Sequence, residues 1–301
     1  MSTTARGLEA TKRPGLSVPA GPGWLVLPSG LLLLLFFALP LGATLAISFY
    51  RTQPGVLYVP DFNLDNYGEL FRNQIYINVM IRTLRISALV TLFALILGYP
   101  VAMAMARGPQ WLRGILLISV LLPLLVSVVV RTYGWMIVLG TDGPVNQFLQ
   151  FVGITSSPTK LVFNETGVMI GLVHVYFPFM VLPLSSVIQK IDRNLEDAAS
   201  SLGANRLTIF RRVILPLSIP GIAAGSMLVF TLSSAAFVTP ALLGGTNLNM
   251  MATLVAQQIQ VLVNWPLGAA VAVMLIVITL VVVGLYNHFL ESRGGVYRGV
   301  Q

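Results

Sequence analysis

The chain has 301 residues, of which 56% are hydrophobic and only 9% are charged. Because a soluble domain averages about 25% charged residues, this composition excludes an ordinary water-soluble protein and indicates that most of the chain lies in lipid. The absence of cysteine excludes disulfides, thiolate metal sites and cysteine nucleophiles. A formal net charge of +8 is compatible with nucleic-acid binding, but the placement of the charges along the chain favours membrane topology as its cause.

Six apolar stretches predict six membrane-spanning helices, because one span needs roughly 20 mostly apolar residues. In chain order the predicted helices cover about 24–50, 83–106, 114–139, 167–189, 218–241 and 267–290. The first stretch is too long for the apolar region of a signal peptide and no small-residue cleavage site follows it, so we expect it to be retained. The helices define a predicted six-span domain over 24–290, flanked by a disordered basic tail at 1–23 and a short tail at 291–301.

The basic residues are concentrated on one side of the predicted bundle. With an even number of spans both termini lie on the same side, and the segments on that side carry 12 of the 18 lysine and arginine residues. These segments are 1–23, 107–113, 190–217 and 291–301. The positive-inside rule therefore predicts that both tails and the loop at 190–217 are cytoplasmic. The segments at 61–73 and 141–160 are predicted to form short surface helices and loops on the opposite side.

Residues 190–217, termed the charged loop, contain a predicted amphipathic helix–turn–helix. Four apolar residues share one face of its first helix: Leu195, Ala198, Ala199 and Leu202. Gly203 is placed to end that helix, Asn205 to cap a second one and Pro216 to end the second. Such an element can dock on a partner, lie on lipid or pack on its own protein. DNA binding is disfavoured, because a loop tied to spans at both ends is poorly placed for it.

The charged loop also resembles a known signature. "DAASSLG" (Asp197–Gly203), nine further residues and "VILP" (Val213–Pro216) resemble the signature loop of ATP-binding-cassette importer permeases. Asp197 stands where that signature more often has glutamate, and Val213 where isoleucine is usual. Five other segments resemble the spermidine/putrescine branch, although branches for thiosulfate, ferric iron and other organic solutes share parts of them: Leu64–Phe71, Arg82–Arg107, Leu121–Gly140, Pro178–Leu184 and Phe237–Gly245.

The resemblance implies an all-α transmembrane protein with the six-helix type I ABC importer permease fold and a cytoplasmic coupling helix between helices 4 and 5. It implies that the coupling helix docks on a separate ATPase, through residues that match the signature or adjoin it: Glu196, Asp197, Ala198, Ala199, Gly203, Val213, Ile214, Leu215 and Pro216. The implied partners are a dimer of ATP-binding subunits, a second permease subunit, with a paralogue favoured, and an extracytoplasmic solute-binding protein. The implied location is the inner membrane.

The implied function is that of a non-catalytic permease subunit forming half of a polyamine path that works by alternating access. The alternatives are the same role for another small organic solute or ion, or a standalone secondary transporter. The predicted spans contain no acidic residue, which counts against ion coupling in a secondary transporter.

The chain lacks the residues for ATP hydrolysis by a P-loop. Such a loop needs a lysine after glycine, and none of Lys12, Lys160 and Lys190 follows glycine. We therefore expect this chain to bind no cofactor, with ATP and Mg²⁺ used by the partner ATPase. His174 and His288 stand alone in predicted spans and are interpreted as packed polar residues, since no metal-ligand spacing accompanies them.

One charged residue lies well inside a predicted span. Arg131 is expected to pair with an acid, either Asp142 or one on another subunit, or to extend toward the membrane surface. A structural or gating role is favoured for it over solute contact, because a positive charge would not bind a polyamine directly. Three aromatic residues can line a path for a cation or serve as interfacial anchors: Tyr133, Trp135 and Phe237. The small residues and Pro240 near Phe237 predict a kinked or broken fifth helix.

Overall fold

The computed structural model describes residues 23–53, 55–245 and 248–294 of the chain. Two units are distinguished, Met1–Thr44 and Leu45–Gln301. In the first, α1 (Gly23–Leu33) continues through a π-helical turn at Leu34–Ala38 into α2 (Leu39–Ile47), which runs across the boundary. The predicted tail at 1–23 lies outside the described residues except for Gly23, which already belongs to α1.

Two short strands and then a series of helices follow α2. In chain order these elements are β1 (Arg51–Gln53), β2 (Val56–Val59), α3 (Asp65–Arg72), α4 (Gln74–Arg107), α5 (Gln110–Leu125), α6 (Val128–Val138), α7 (Pro144–Phe151), α8 (Glu165–Lys190), α9 (Arg193–Ser201), α10 (Arg206–Ile209), α11 (Leu215–Leu217), α12 (Ile219–Ser234), α13 (Val238–Leu243), α14 (Met251–Ala256) and α15 (Trp265–Gly294). Residues 210–214 and 257–261 are π-helical. The strands β1 and β2 form an antiparallel hairpin that was not predicted.

The described residues contain four helices that are long and apolar enough to cross a membrane, and up to six spans if each of two bent helix pairs counts as one. The four are Pro28–Ile47, Gln74–Arg107, Glu165–Lys190 and Trp265–His288. They correspond to the predicted first, second, fourth and sixth spans. The last helix continues to Gly294, so the predicted tail at 291–301 begins as helix, and its remainder lies outside the described residues.

Capping residues set the starts of the two long helices at the centre of the molecule. The side chain of Asn73 accepts a hydrogen bond from the Ile75 backbone N–H at 3.0 Å, so α4 begins about nine residues before its predicted start. The side chain of Asn164 likewise accepts from the Gly167 N–H at 2.9 Å at the start of α8. The extra turns of α4 were missed because Arg82 and Arg85 separate them from the uncharged run that starts at Ile86.

The predicted third and fifth spans are each broken. The axes of α5 and α6 differ by 103°, with the break at residues 126–127. The single helix predicted over 114–139 is therefore wrong. The fifth span divides at residues 235–237 into α12 and α13, as the small residues and Pro240 had indicated.

The core is formed by α4, α8 and α12, which pack against one another. Glycines allow this approach, since a Cβ on Gly98 would lie 3.2 Å from side-chain atoms of Met180 and Val181 on α8. On α12, a Cβ on Gly221 or Gly225 would lie about 3.1 Å from backbone atoms of α8. Small residues at helix contacts are the usual means of close packing in membranes. These three helices therefore provide a rigid support for the charged loop, which joins α8 to α12.

Candidate functional site

The first arm of the charged loop is the short helix α9. The chain leaves α8 at Lys190, and the side chain of Asp192 accepts a hydrogen bond from the Asn194 N–H at 3.0 Å, which caps α9. The helix ends before Gly203, whose φ of +83° is a conformation that suits glycine. Asn205 then accepts from the Thr208 N–H at 2.8 Å and starts the second arm. The predicted helix–turn–helix is present, with its turn between Ser201 and Arg206.

One face of α9 is apolar and exposed. Leu195 is 48% exposed and Leu202 is 89% exposed, and Ala198 between them is exposed as well. Asp197 is also exposed, whereas Ala199 is only partly so. Exposed leucines on an otherwise charged loop are typical of a surface that a partner covers.

Glu196 points away from that face. Its carboxylate lies 2.6 Å from the Arg107 guanidinium at the end of α4, and the two side chains are only 23% and 14% exposed. Arg107 also donates a hydrogen bond to the carbonyl of Ile191 at 2.9 Å. Sequence reasoning placed Glu196 with the docking residues. The ion pair was missed, although Arg107 and Glu196 lie in two segments that were predicted to share one side of the membrane.

The second arm packs against the core. Ile214 is 3% exposed and shares a cluster with Met105, Leu184 and Ile188. Val213, Leu215 and Pro216 are partly buried. The helical conformation continues through Leu217, so Pro216 does not end the helix as predicted; a bend of 62° follows at Ser218.

One group of polar residues lies on α6 and α8. Arg131 and Trp135 lie one turn apart on α6, and the Trp135 indole N–H donates to Nδ1 of His174 at 3.1 Å. His174 is thus a packed polar residue with a partner, which agrees with its interpretation from the sequence.

Asp142 is not the partner of Arg131. Among the described residues Arg131 makes no ion pair, and its Nε and Nη1 atoms are buried without a hydrogen-bond partner. Asp142 is exposed beyond the end of α6. The partner predicted on this chain is therefore wrong.

The other proposed path residues differ in their surroundings. Tyr133 is 51% exposed, and Phe237 is 43% exposed at the break between α12 and α13. Trp135 lines a cavity of about 560 Å³ between α4, α6 and α8 whose wall is almost entirely hydrocarbon, with His174 as its other polar residue. The structure thus brings Arg131 and Trp135 together and leaves the exposed Tyr133 on another face of α6.

A second ion cluster joins α4 to the start of α8. Glu165 lies 3.4 Å from Arg82 and pairs with Arg85 as well. All three side chains are at least 29% exposed. The sequence showed these charges at the ends of two apolar runs, which was a signal that they share one membrane surface.

Known proteins share both the fold and the sequence of this chain. Residues 91–293 match the model of the family described as "binding-protein-dependent transport system inner membrane component". The chain belongs to this family. As a family member it is a multi-pass inner-membrane component of a transport system that depends on a binding protein, in agreement with its apolar helices.

Relatives within this family extend the match. The spermidine/putrescine transport system permease protein PotB of Escherichia coli strain K12 is 36% identical over 85% of this chain and 90% of its own length. PotB of Haemophilus influenzae is 37% identical over 84% and 88%. The inner membrane ABC transporter permease protein YdcU of E. coli is 30% identical over 95% and 97%.

Solved structures show the same fold at low sequence identity. A chain of the bacterial ABC transporter that imports the acidic polysaccharide alginate matches with a TM-score of 0.70 and 18% identity, covering 90% of this chain and 94% of that one. The MetNI methionine ABC transporter matches with a TM-score of 0.55 and 18% identity, over 72% and 94%. The predicted type I ABC importer permease fold is confirmed.

Proposed function

We propose that this chain is a permease subunit of an ATP-driven importer of polyamines, putrescine or spermidine. One observation carries the proposal: relatives named for spermidine and putrescine transport are 35–37% identical over about 85% of the chain. The chain forms half of the translocation path, a second permease subunit forms the other half, and the path opens alternately to the two sides. A solute-binding protein delivers the polyamine.

The charged loop is the element that docks on the ATPase dimer, which binds and hydrolyses ATP with Mg²⁺. The exposed face formed by Leu195, Ala198 and Leu202 supports this role. Gly203 supports it by turning the chain back toward the membrane helices. Ile214 is buried against the core, so the second arm anchors the loop and the first arm presents it.

Both termini and the charged loop are cytoplasmic in this proposal. The loop and the segments on its side carry most of the lysine and arginine residues, which supports the orientation. The short helices α3 and α7 then face the solute-binding protein.

Arg131, Tyr133, Trp135 and Phe237 remain the proposed residues of the path. Arg131 stabilises or gates the path by forming an ion pair with an acidic residue of the second permease subunit. Its buried guanidinium atoms lack an acceptor among the described residues, which supports this role. A positive charge repels a polyamine, which supports that role over solute contact.

Uptake of labelled putrescine and spermidine tests the proposal in cells with and without this gene. A third arm carries a deletion of Asp197–Gly203, which we expect to abolish uptake while the chain stays in the membrane fraction. Uptake that is unchanged without the gene, in cells shown to lack a second polyamine system, would exclude the polyamine substrate. Uptake that survives the deletion would exclude the coupling role of the loop.

A matched pair of point variants sharpens the test of docking. Leu202→Asp places a charge on the exposed apolar face of α9, and Ser200→Asp places the same charge on an exposed position off that face. We expect the ATPase subunit to co-purify with the Ser200 variant and to be lost from the Leu202 variant. Equal recovery from both variants would show that this face does not bind the ATPase.

A further inference from the structure

Helix α4 holds the charged loop at two separate places. At its last residue, Arg107 pairs with Glu196 of α9 at 2.6 Å and donates to the Ile191 carbonyl at 2.9 Å. Two residues, 191 and 192, separate α8 from α9. Arg107 therefore binds both the connection and the helix that follows it, which leaves the first arm little freedom to flex independently of α4.

The second contact between α4 and the loop is made by Tyr99, eight residues before Arg107. The hydroxyl of Tyr99 is 2.9 Å from the Ser218 hydroxyl, which itself donates to the Leu215 carbonyl. The Tyr99 ring meets the Phe210 ring edge-on, with centroids 5.4 Å apart and planes at 89°. At 1.5 Å per residue, Tyr99 and Arg107 are about 12 Å apart along the helix. Helix α4 thus contacts both arms of the loop, the second arm through Phe210 and through Ser218 directly after it.

The two neighbouring acids of α9 face in different directions. Asp197 is exposed, whereas Glu196 is turned inward to Arg107. A side chain that is mostly covered by its own protein is poorly placed to bind a second protein. Separating one largely buried charge from its partner is costly, so the pair holds the relative position of α4 and α9.

We propose that Arg107 and Tyr99 are positioning residues that make α4 the helix to which movement of the charged loop is transmitted, with Glu196 as their inner anchor and not an ATPase contact. This inference rests on the proposed function, in which α9 docks on the ATPase. A displacement of α9 then moves α4 as one body with it, and α4 carries the displacement to α8 and α12, against which it packs.

Charge reversal tests the pair in the full importer complex reconstituted with its binding protein. Arg107→Glu and Glu196→Arg should each lower uptake at least about tenfold, since each places like charges in a largely buried site. Because Glu196 is not an ATPase contact in this proposal, the ATPase subunit should still co-purify with each variant. The double variant restores the opposite charges and should return uptake to within about threefold of the original.

Arg113→Glu is the matched control. Arg113 also bridges two elements on this side, but it donates to the neutral Gln189 amide oxygen at 2.9 Å and makes no ion pair within the part of the chain that the structure describes. Adding Glu196→Arg should not improve uptake by the Arg113 variant. Single reversals without effect, or a double variant no better than the worse single one, would overturn the inference.

A covalent tether gives an independent measurement if the reversed variants fail to assemble. The chain has no cysteine, so Arg107→Cys with Glu196→Cys creates one pair for a short, reducible bifunctional thiol reagent. Because α4 and α9 move together in this proposal, tethering should restore uptake and reduction should remove the gain. Uptake blocked by the tether would show that α9 must separate from α4, and the inference would be wrong.

The outcomes separate this inference from the proposed function. Uptake that survives deletion of Asp197–Gly203 removes the docking role on which both depend. If the deletion abolishes uptake but neither the charge swap nor the tether restores it, only the role of α4 is lost.

Discussion

Replacement of Gly225 by alanine tests whether the helix core depends on backbone approach. A Cβ at this position would lie 2.8 Å from Sδ of Met180, 3.1 Å from its carbonyl oxygen and 3.3 Å from its Cα. The sulfur is at the end of a flexible side chain, but the other two atoms belong to the backbone of α8. Met180 is fully buried, so its side chain has no free space in which to move. We therefore expect α12 and α8 to separate.

The expected cost follows from overpacking a tight contact, which is typically about 1–3 kcal/mol. Gly114 of α5 is the matched control, because a Cβ there meets no atom within 4 Å. Alanine favours a helix over glycine by about 0.5–1 kcal/mol, so Gly114→Ala should leave the stability unchanged or raise it. The same substitution is thus expected to have opposite signs at two helical glycines.

Thermal unfolding of the full chain in detergent, followed by tryptophan fluorescence, measures the difference. At roughly 2–4 °C per kcal/mol for a large domain, Gly225→Ala should lower Tm by roughly 2–12 °C. Equal Tm values for the two variants would refute the reasoning, since both add one methyl group to a helix and differ only in what that methyl meets.

Three further predictions concern polar contacts. Asn146→Ala should cost about 1–3 kcal/mol and speed proteolysis of residues 141–160, because fully buried Asn146 bonds the Gly140 carbonyl and the N–H, carbonyl and hydroxyl of Thr159. Trp135→Phe should lower stability by about 1 kcal/mol in detergent unfolding, since it removes one hydrogen bond and keeps an aromatic ring. Glu165→Gln should change stability by less than about 1 kcal/mol in the same assay, because its ion pairs are largely exposed.

Each of these has a result that would contradict it. Unchanged proteolysis of the Asn146 variant would mean that the loop is ordered by other contacts. A Trp135→Phe loss matched by Trp135→Leu would trace the effect to volume and not to the indole N–H. A large loss for Glu165→Gln would show that this cluster is shielded from solvent, for instance by a partner in the assembled importer.

The four spans formed by single long helices could be predicted from the sequence alone. Each is an apolar run of the length that lipid requires, and that property is local, so it does not depend on what the helix packs against. The caps of the charged loop were equally readable, because Gly203 and Asn205 act on backbone groups a few residues away. The signature spacing within that loop pointed to the family for the same reason.

The break between α5 and α6, the hairpin and the helix α14 were not predicted, because their sequences carry no apolar pattern that distinguishes them from a continuous span or a loop. Arg131 shows the limit for a single residue: its position inside a span could be predicted, but its lack of an acid among the described residues could not. The periodicity of a sequence predicts which face of a helix is apolar and does not predict which helix packs against that face.

The tertiary structure alone decided which way each charge of the loop points. Glu196 and Asp197 are adjacent in sequence and chemically alike, yet one is held by Arg107 and the other is exposed. Tyr99 and Ser218 meet across 119 residues of chain. Local spacing determined that a helix–turn–helix forms between two spans, whereas its attachment to α4 depends on how three packed helices place their ends, and packing is a property of the whole chain.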